Sequence, residues 1–467
     1  MNRKTGRREG LFSPRTSRLP VFLFVFLLPS AASATGAIEA VTQDATQGLG
    51  QMPAAAVVVT APLVSDQPAP HGDELALRIA ALVAGRLGAG ARVHPQAATL
   101  PTARAVAGRA GALVFVQTEI ARGDLRTTVD VYPSMANAWD RIRNPLPAPA
   151  GHAFASAKLD AEVRTFLAPL VLEQASVHKV KHDEGDVLAA ACGDVDGDGG
   201  NELLLVSRAR VALGRVRAGK FVADRTAAWS ALAPRAPVPT REPLAGAVVA
   251  AGAVDVGTTD RGGLSLTPDL VGHTPLLAMP AWSSEGLGCL RPDAAVGAFD
   301  GAPVDCTMSD DVRPRMAVPS PRFDAFASAA VVDARGGTQS IVVVREPSGR
   351  VKLKMGDALA APDGDFGAQL AVGDLDQDGV PDVATTVDGP DDAVNVFSWT
   401  PGATDLRGRL HLAAPGAVRA LAMCPAESNG EPALVAVVGS ELWIVRAGVQ
   451  GAAGVRGESM APNVGPR

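Results

Sequence analysis

The sequence lacks the short motifs by which several large enzyme classes are recognised. It contains no Gly-x-Ser-x-Gly nucleophile elbow, no Walker A phosphate-binding loop and no Gly-x-Gly-x-x-Gly dinucleotide fingerprint. The Cys-x-x-Cys and Cys/His spacings of zinc sites are also absent. The sequence therefore favours a protein that is not an enzyme.

Positive charge and long apolar runs are also scarce. The 467 residues include 43 Lys and Arg and 49 Asp and Glu, which gives a net charge of −6. Without residues 1–34 the chain has 37 basic and 48 acidic residues. This balance argues against nucleic acid as a partner, because phosphate neutralisation needs clustered basic side chains. No later segment has 18 uninterrupted apolar residues, so no transmembrane segment is expected.

Residues 1–34 have the order of a secretory signal peptide. A basic stretch precedes an apolar run from Val21 to Leu28, and the small residues Ala32-Ser33-Ala34 follow. We expect cleavage after Ala34. Since the first cysteine is Cys192, no lipid-modified N-terminal cysteine is available. The mature protein is expected to be periplasmic or secreted, with association with the cell envelope as a further expectation.

The chain has only four cysteines, which are Cys192, Cys289, Cys306 and Cys424. Export permits disulfides, and four cysteines allow three pairings. Cys289 with Cys306 is the local choice, because the glycines and prolines between them let the chain turn back. Buried free thiols are the alternative.

Residues 50–170 are predicted to form a small α/β domain of order β-α-β-α-β-β-α. A buried strand over 54–64 precedes a helix that Asp73 can cap. Two β-rich runs, 112–120 and 125–132, flank a hairpin turn. The last helix of the domain is predicted on residues 159–167, which carry apolar side chains on one face.

From about residue 185 a repeat replaces the helical pattern. Residues 190–206 (AACGDVDGDGGNELLLV) return in similar form at residues 370–384 (LAVGDLDQDGVPDVA), and degenerate copies lie near Asp333 and Ala426. The offset from Asp333 to Asp374 is 41 residues, and that from Asp374 to Ala426 is 52. A period of ~40–50 residues with several short strands per unit is typical of propeller blades.

The expected fold class is therefore mainly β, a six- or seven-bladed β-propeller over residues 175–447 preceded by a small α/β domain. Residues 448–467 have no apolar pattern and are predicted to be a disordered tail.

Two loops of this repeat carry alternate carboxylates at positions 1, 3, 5 and 9. They are Asp194, Asp196, Asp198 and Glu202 in the first loop, and Asp374, Asp376, Asp378 and Asp382 in the second. Such a loop can wrap several hard oxygens around Ca²⁺. An EF-hand is excluded, because Leu205 and Thr385 stand where it needs a glutamate. The alternative is a polar turn without metal.

The second loop, with Phe366-Gly367 ahead of it, resembles the FG-GAP repeat of integrin-type propellers, also called a VCBS-like repeat. This resemblance implies that the eight carboxylates, with the carbonyls of Gly200 and Val380, bind Ca²⁺. Glu202 departs from the usual aspartate at position 9. The order of elements in residues 50–170, followed by a propeller, is also similar to the layout of TolB-type periplasmic proteins.

These features predict an exported calcium-binding propeller that acts as a non-enzymatic interaction module for a protein or polysaccharide ligand. The alternative is a carbohydrate-active enzyme, a polysaccharide lyase or hydrolase with its site on the propeller face. A pocket in the central channel with paired carboxylates and a nearby Arg or His would favour the enzyme.

Overall fold

The structure, a computed structural model, describes residues 36–49, 56–108, 112–121, 123–133, 139, 148–236, 243–250, 252–283, 286–293, 297–307, 314–332, 337–389, 391–426 and 431–449. The predicted signal peptide, the tail after Val449 and the degenerate loop at Asp333 lie outside the described residues. Within the described ranges, no helix is both long enough and apolar enough to cross a bilayer.

The N-terminal part is a sheet with helices on both faces. Its helices are α1 (Ala37–Gln47), α2 (Gly72–Leu87), α3 (Leu100–Ala107) and α4 (Ala161–Arg164). Its strands are β1 (Ala56–Thr60), β2 (Val64–Ser65), β3 (Ala91–Val93), β4 (Ala112–Ala121), β5 (Asp124–Pro133) and β6 (Gly151–Lys158). Strand β1 lies parallel between β3 and β4, and β5 and β6 continue antiparallel from β4. The apolar sides of α1 and α2 pack on one face, and α3 packs on the other.

Two parts of this region differ from the sequence prediction. Helix α1 has no predicted counterpart, although Ile38, Val41 and Ala45 recur at helical spacing and are buried. The helix predicted on residues 159–167 is wrong in extent, because strand β6 runs to Lys158 and α4 has only four residues. Strand β6 was missed because its inward residues are small alanines, whereas its large apolar residue, Phe154, faces outward.

The remainder of the described chain is built almost entirely of short antiparallel strands. They are β7 (Leu170–Lys181), β8 (Val187–Gly193), β9 (Glu202–Ser207), β10 (Arg210–Arg217), β11 (Lys220–Ala228), β12 (Ala245–Ala250), β13 (Ala253–Thr258), β14 (Gly262–Leu266), β15 (His273–Leu276), β16 (Met279–Ser283), β17 (Gly286–Asp293), β18 (Ala298–Asp305), β19 (Arg322–Phe323), β20 (Ala325–Val332), β21 (Thr338–Arg345), β22 (Val351–Met355), β23 (Ala358–Ala360), β24 (Leu370–Gly373), β25 (Asp382–Thr385), β26 (Ala393–Ser398), β27 (Arg407–Ala413), β28 (Val418–Cys424), β29 (Ala433–Val438) and β30 (Glu441–Val449). One further short helix, α5 (Trp229–Leu232), follows β11.

These strands form consecutive four-stranded sheets around a common centre. Four sheets are β12–β15, β16–β19, β20–β23 and β24–β27, and an eight-stranded sheet combines β8–β11 with β28–β30 and β7. The first strands touch one another in series, from β8 through β12, β16, β20 and β24 to β28, and β28 contacts β8 again. This closed ring of small sheets is the arrangement of a β-propeller.

The ring is closed by strand pairing and by a covalent bond. Strand β7 pairs antiparallel with β30, so the start of the propeller region completes the last sheet. The disulfide Cys192–Cys424 joins β8 to β28 with a Cα–Cα distance of 5.2 Å. The region extends beyond the predicted 175–447 at both ends, and Gly448 pairs with Val171 as strand rather than starting a disordered tail.

The second disulfide is the local one that the sequence favours. Cys289 and Cys306, on neighbouring strands β17 and β18, are bonded with a Cα–Cα distance of 5.0 Å. The prediction of this pair is confirmed, and the free-thiol alternative does not hold for the four cysteines. Two disulfides indicate an oxidising environment, periplasmic or extracellular.

Candidate metal centre

The two acidic loops occupy equivalent connections in the propeller. Loop 1 (residues 194–202) joins β8 to β9, and loop 2 (residues 374–382) joins β24 to β25. Each follows a glycine that ends the first strand of its sheet. A Cβ added to Gly193 would lie 3.1 Å from Val249, and one added to Gly373 would lie 2.5 Å from Met423. Glycine therefore lets the first strand of the next sheet approach closely at the base of each loop.

The first carboxylate of each loop turns back onto the backbone of that loop. Asp194 Oδ2 accepts a hydrogen bond from the Gly199 N–H at 2.8 Å, and Asp374 Oδ2 accepts one from the Gly379 N–H at 3.0 Å. Both glycines stand at position 6 and have positive φ angles of 84° and 82°. Glycine adopts this conformation without a steric cost. The shared motif therefore produces one loop conformation twice.

The carboxylate side chain at position 9 of each loop is buried and accepts a hydrogen bond from the backbone N–H of position 2. Glu202 Oε2 accepts from the Val195 N–H at 2.8 Å, and Asp382 Oδ2 accepts from the Leu375 N–H at 2.8 Å. In loop 2 the other carboxylate oxygen of Asp382 also accepts from Ser398 Oγ at 2.6 Å. The departure to glutamate at residue 202 therefore leaves the backbone contact of this position intact.

Loop 2 concentrates buried negative charge. Asp374, Asp376 and Asp382 each offer an oxygen within 4.8 Å of the others. The Asp382 side chain is fully buried, and Asp376 is 4% exposed. Burial, together with repulsion from the neighbouring carboxylates, raises the pKa of Asp374 to about 7, that of Asp376 to about 6 and that of Asp382 to about 8. Asp376 Oδ1 is buried without a hydrogen-bond partner among the described residues.

Loop 1 is more open, and an arginine lies across its carboxylates. Asp196 and Asp198 are exposed. The Arg215 side chain, on strand β10, donates to Asp198 Oδ2 at 2.7 Å and to Asp196 Oδ1 at 3.2 Å, and it also contacts Glu202 Oε1. Hydrogen bonds from Arg215 hold the pKa of Asp198 below its ordinary value. Three of the four loop 1 carboxylates therefore share one positive charge of the protein.

The arginine beside loop 2 is shared with a residue outside the loop. Arg409 lies on strand β27 and donates to both carboxylate oxygens of Glu173, at 2.7 and 3.2 Å. It also donates to Ser398 Oγ at 3.0 Å and to Asp376 Oδ2 at 2.8 Å, and its distance to Asp378 is 3.9 Å. Of the four loop 2 carboxylates, Arg409 hydrogen-bonds only that of Asp376.

The donors of loop 2 fit a hard divalent cation. Calcium takes six to eight oxygen ligands in a flexible geometry, and buried carboxylates that repel one another gain most from its charge. The unpartnered Asp376 Oδ1 and the raised pKa values of loop 2 are the features expected where a cation contributes. Asp194, Asp196 and Glu202 of loop 1 converge within the same distance. Loop 2 is the better candidate for a metal site because its carboxylates are more deeply buried and one of their oxygens has no partner.

The remaining predicted ligand positions are Gly200 and Val380. Their N–H groups donate to Asp198 Oδ1 at 2.9 Å and to Asp378 Oδ1 at 2.8 Å. The role of their carbonyls as ligands stays a prediction. Of the degenerate copy near Ala426, residues 427–430 lie outside the described residues. Just after β28, the Pro425 carbonyl accepts from Asn201 Nδ2 at 2.7 Å.

A cavity of about 1550 Å³ occupies the centre of the ring. Its walls are mainly small residues of the first strands. One end is lined by Asp194 and Asp374 of the two loops, together with Asp160 and Arg164 beside and on helix α4 of the N-terminal part. The opposite end, where the first strands begin, is lined by Asp324 and Asp388.

Asp324 and Asp388 are bridged by an arginine that the sequence patterns do not single out. Arg345 donates to Asp324 Oδ2 at 2.6 Å and to Asp388 Oδ2 at 3.2 Å, and its Nε donates to the Phe366 carbonyl at 2.6 Å. Burial raises the pKa of Asp324. The three charged residues lie far apart in sequence and belong to no motif, so only the fold brings them together.

Comparison with known proteins adds little beyond the strand arrangement. No protein-family model and no curated protein matches the chain. Similar solved structures include the WD40 repeats of RRP9 (12% identity, 70% of this chain and 91% of that one, TM-score 0.33). Others are a glucose dehydrogenase (12% identity, 58% and 99%, TM-score 0.36) and AofleA from Arthrobotrys oligospora (9% identity, 60% and 94%, TM-score 0.34). Likeness at this level carries no argument about activity.

Proposed function

We propose that the chain is an exported, calcium-stabilised β-propeller with FG-GAP-type loops that serves as a non-enzymatic interaction module. The observation that carries the calcium proposal is loop 2, where Asp376 Oδ1 is buried without a partner beside the buried Asp382. Calcium there would be held by Asp374, Asp376, Asp378 and Asp382, with the Val380 carbonyl completing the set. The carboxylates of loop 1 stand at the same positions of the motif as those of loop 2.

The proposed propeller has six blades. The four-stranded sheets, with the eight-stranded sheet divided into β8–β11 and β28–β30 plus β7, supply six units. The single residue pair between β7 and β11, Lys181 with Lys220, supports dividing the large sheet at that point. The α/β region would then be a separate domain that lies at the loop end of the cavity.

Export is supported by the two disulfides together with the signal-like residues 1–34. N-terminal sequencing of the protein recovered from the periplasmic or extracellular fraction tests this part. A mature chain starting at Thr35 is expected, and a chain starting at Met1 in that fraction would contradict it.

The partner of the module is proposed to be a protein or a polysaccharide of the cell surface or its surroundings. The enzymatic alternative has one specific observation in its favour, which is the Asp324–Arg345–Asp388 group at the cavity. Paired carboxylates beside an arginine are a feature that polysaccharide hydrolysis can use. No reaction is otherwise indicated.

One experiment separates the two functions. The full-length protein is incubated in calcium with a panel of acidic and neutral polysaccharides. Binding of each polysaccharide by the protein and the release of new polysaccharide ends are both measured. Binding without product supports the interaction module. Product that disappears in Asp324→Asn and in Asp388→Asn supports the enzyme, with Asp391→Asn as a control at an acidic residue that does not line the cavity.

A further inference from the structure

The two acidic loops differ in what neutralises them. We propose that the Arg215 guanidinium is the resident cation of loop 1, so that the native chain binds calcium at loop 2 and not at loop 1. The inference rests on the proposed calcium site in loop 2, and it makes that site the only one of the pair that takes metal.

Arg215 is placed to serve three of the four loop 1 carboxylates at once. Its Nη1 donates to Asp198 Oδ2 at 2.7 Å, and its Nη2 donates to Asp196 Oδ1 at 3.2 Å and contacts Glu202 Oε1. The side chain is 27% exposed, so the group is partly shielded from water. A planar guanidinium presents several donors in a fixed fork, which suits carboxylates that converge on one point.

The fourth carboxylate of loop 1 is also satisfied without metal. Asp194 Oδ1 accepts from the N–H groups of Gly197 and Asp198, at 2.7 and 3.1 Å, and Oδ2 accepts from Gly199. Among the described residues, none of the loop 1 carboxylate oxygens is buried without a hydrogen-bond partner. Calcium in loop 1 would need the oxygens that Arg215 holds, and two cations at one point repel each other.

Loop 2 cannot use its arginine in the same way. The forked donors of Arg409 are directed to Glu173 and Ser398, which lie outside the loop, and only one oxygen of Asp376 receives a hydrogen bond from it. Asp376 Oδ1 is left buried and unpartnered. The same nine-residue motif therefore has an internal cation in one copy and needs an external one in the other.

The test counts calcium ions bound by the full chain, by isothermal titration with calcium chloride. The titrated chain carries Asp376→Asn and Asp382→Asn, which disable loop 2. In this background we expect no calcium binding while Arg215 is present, and one ion per chain once Arg215→Gln is added. Arg217→Gln is the matched control, because Arg217 lies on the same strand but pairs with Asp224 at 2.8 Å. It should leave the count at zero.

Two results would overturn the inference. One is calcium binding by the loop 2-disabled chain that retains Arg215, and the other is no gained ion in Arg215→Gln. If Arg215→Gln folds only when calcium is present, that dependence supports the inference. Failure to fold with and without calcium contradicts it, because a divalent cation would then be unable to replace the guanidinium. The unmodified chain tests the loop 2 proposal separately, since it should bind one ion.

Discussion

Loops 1 and 2 share a backbone and differ in their charge environment. In both, the first carboxylate accepts from the glycine N–H at position 6 and the ninth accepts from the N–H at position 2. Position 3 is exposed in loop 1, as Asp196, and buried in loop 2, as Asp376. The motif thus determines the conformation of the loop, whereas the neighbouring strands determine how its charge is balanced.

Loop 1 also has a covalent support that loop 2 lacks. Cys192, two residues before Asp194, is bonded to Cys424, which closes the ring across 232 residues of sequence. The equivalent residue before loop 2 is Val372, in the propeller core. Loop 1 is therefore stabilised by groups of the protein itself, whereas we propose that loop 2 depends on an added ion.

The largest expected effect comes from opening the ring beside loop 1. Replacing Cys192 and Cys424 together by alanine should lower the free energy of unfolding by about 2–5 kcal/mol, because the unfolded chain loses a long-range constraint. Urea denaturation measures the change. The calcium-dependent part of the stability should persist, since loop 2 does not involve these cysteines.

Replacing Cys289 and Cys306 by alanine is the matched control for that variant. This pair closes a segment of only 17 residues, so the chain-entropy account predicts a smaller loss. If the Cys192/Cys424 variant instead lost its response to calcium, the two loops would not be independent. That result would contradict the assignment of the calcium response to loop 2 alone.

The second effect separates the loops by matched carboxylates. Asp376→Asn should abolish the stabilisation by calcium, which is about 2.7 kcal/mol when calcium is in hundredfold excess over its dissociation constant. Asp196→Asn, at the same position of loop 1, should leave the calcium response unchanged. Denaturation in calcium and in EDTA measures both. Equal losses of the response in the two variants would contradict the assignment of the metal to loop 2.

Acidity should act on the two loops in opposite directions. In the metal-free chain the pKa values of Asp374, Asp376 and Asp382 are raised to about 7, 6 and 8, so the folded chain retains protons that the unfolded chain releases. The stability that these protons confer is fully present below pH ~4 and is lost as the pH rises towards 8. Calcium should reverse this loss, because its ligands must be deprotonated.

The corresponding group in loop 1 responds to acid. Arg215 lowers the pKa of Asp198 in the folded chain. The stability that Asp198 contributes is therefore present above the pKa of the unfolded state, and it is lost as the pH falls through the lower pKa of the folded state. Urea denaturation in EDTA across this range tests both directions. A metal-free chain whose stability rises between pH 5 and pH 8 would contradict the raised pKa values of the loop 2 carboxylates.

The smallest effect concerns position 4, where the two loops differ in backbone strain. Gln377 has a φ of 58°, whereas its counterpart is Gly197 with a φ of 77°. Gly197→Ala should destabilise by about 1 kcal/mol through the left-handed backbone alone, since no atom lies within 4 Å of the added Cβ. Gly185→Ala, where the new Cβ also meets open space, should be close to neutral. Gln377→Gly should stabilise, and denaturation midpoints compare the three variants.

Local patterns in the sequence predicted much of this molecule. The carboxylate positions of both loops, helices α2 and α3, the hairpin of β4 and β5 and the Cys289–Cys306 bond are each encoded within a few tens of residues. Helix α1 and strand β6 were missed. The inward residues of β6 are alanines, which give a weak periodic signal. The apolar residues of α1 do recur at helical spacing, so this helix could have been predicted.

The partners of the loops could not be predicted, because they are distant in sequence. Arg409 meets Glu173 across 236 residues, and Cys192 meets Cys424 across 232. Arg215 is closer in sequence to the loop 1 carboxylates that it contacts, but nothing in the sequence of its own strand marks it as their counter-ion. How the charge of each copy of the motif is balanced therefore depends on pairings between strands, within a sheet for Arg215 and between two sheets for Glu173, that the local pattern does not encode.

The most direct test of a calcium-dependent loop 2 is the melting temperature of the full chain in EDTA, in millimolar calcium and in millimolar magnesium. We expect the lowest melting temperature in EDTA and the highest in calcium, with magnesium restoring less because it requires a tighter octahedron of ligands. Identical melting curves in the three solutions would contradict a calcium-dependent loop 2, and both loops would then be acidic turns that need no metal.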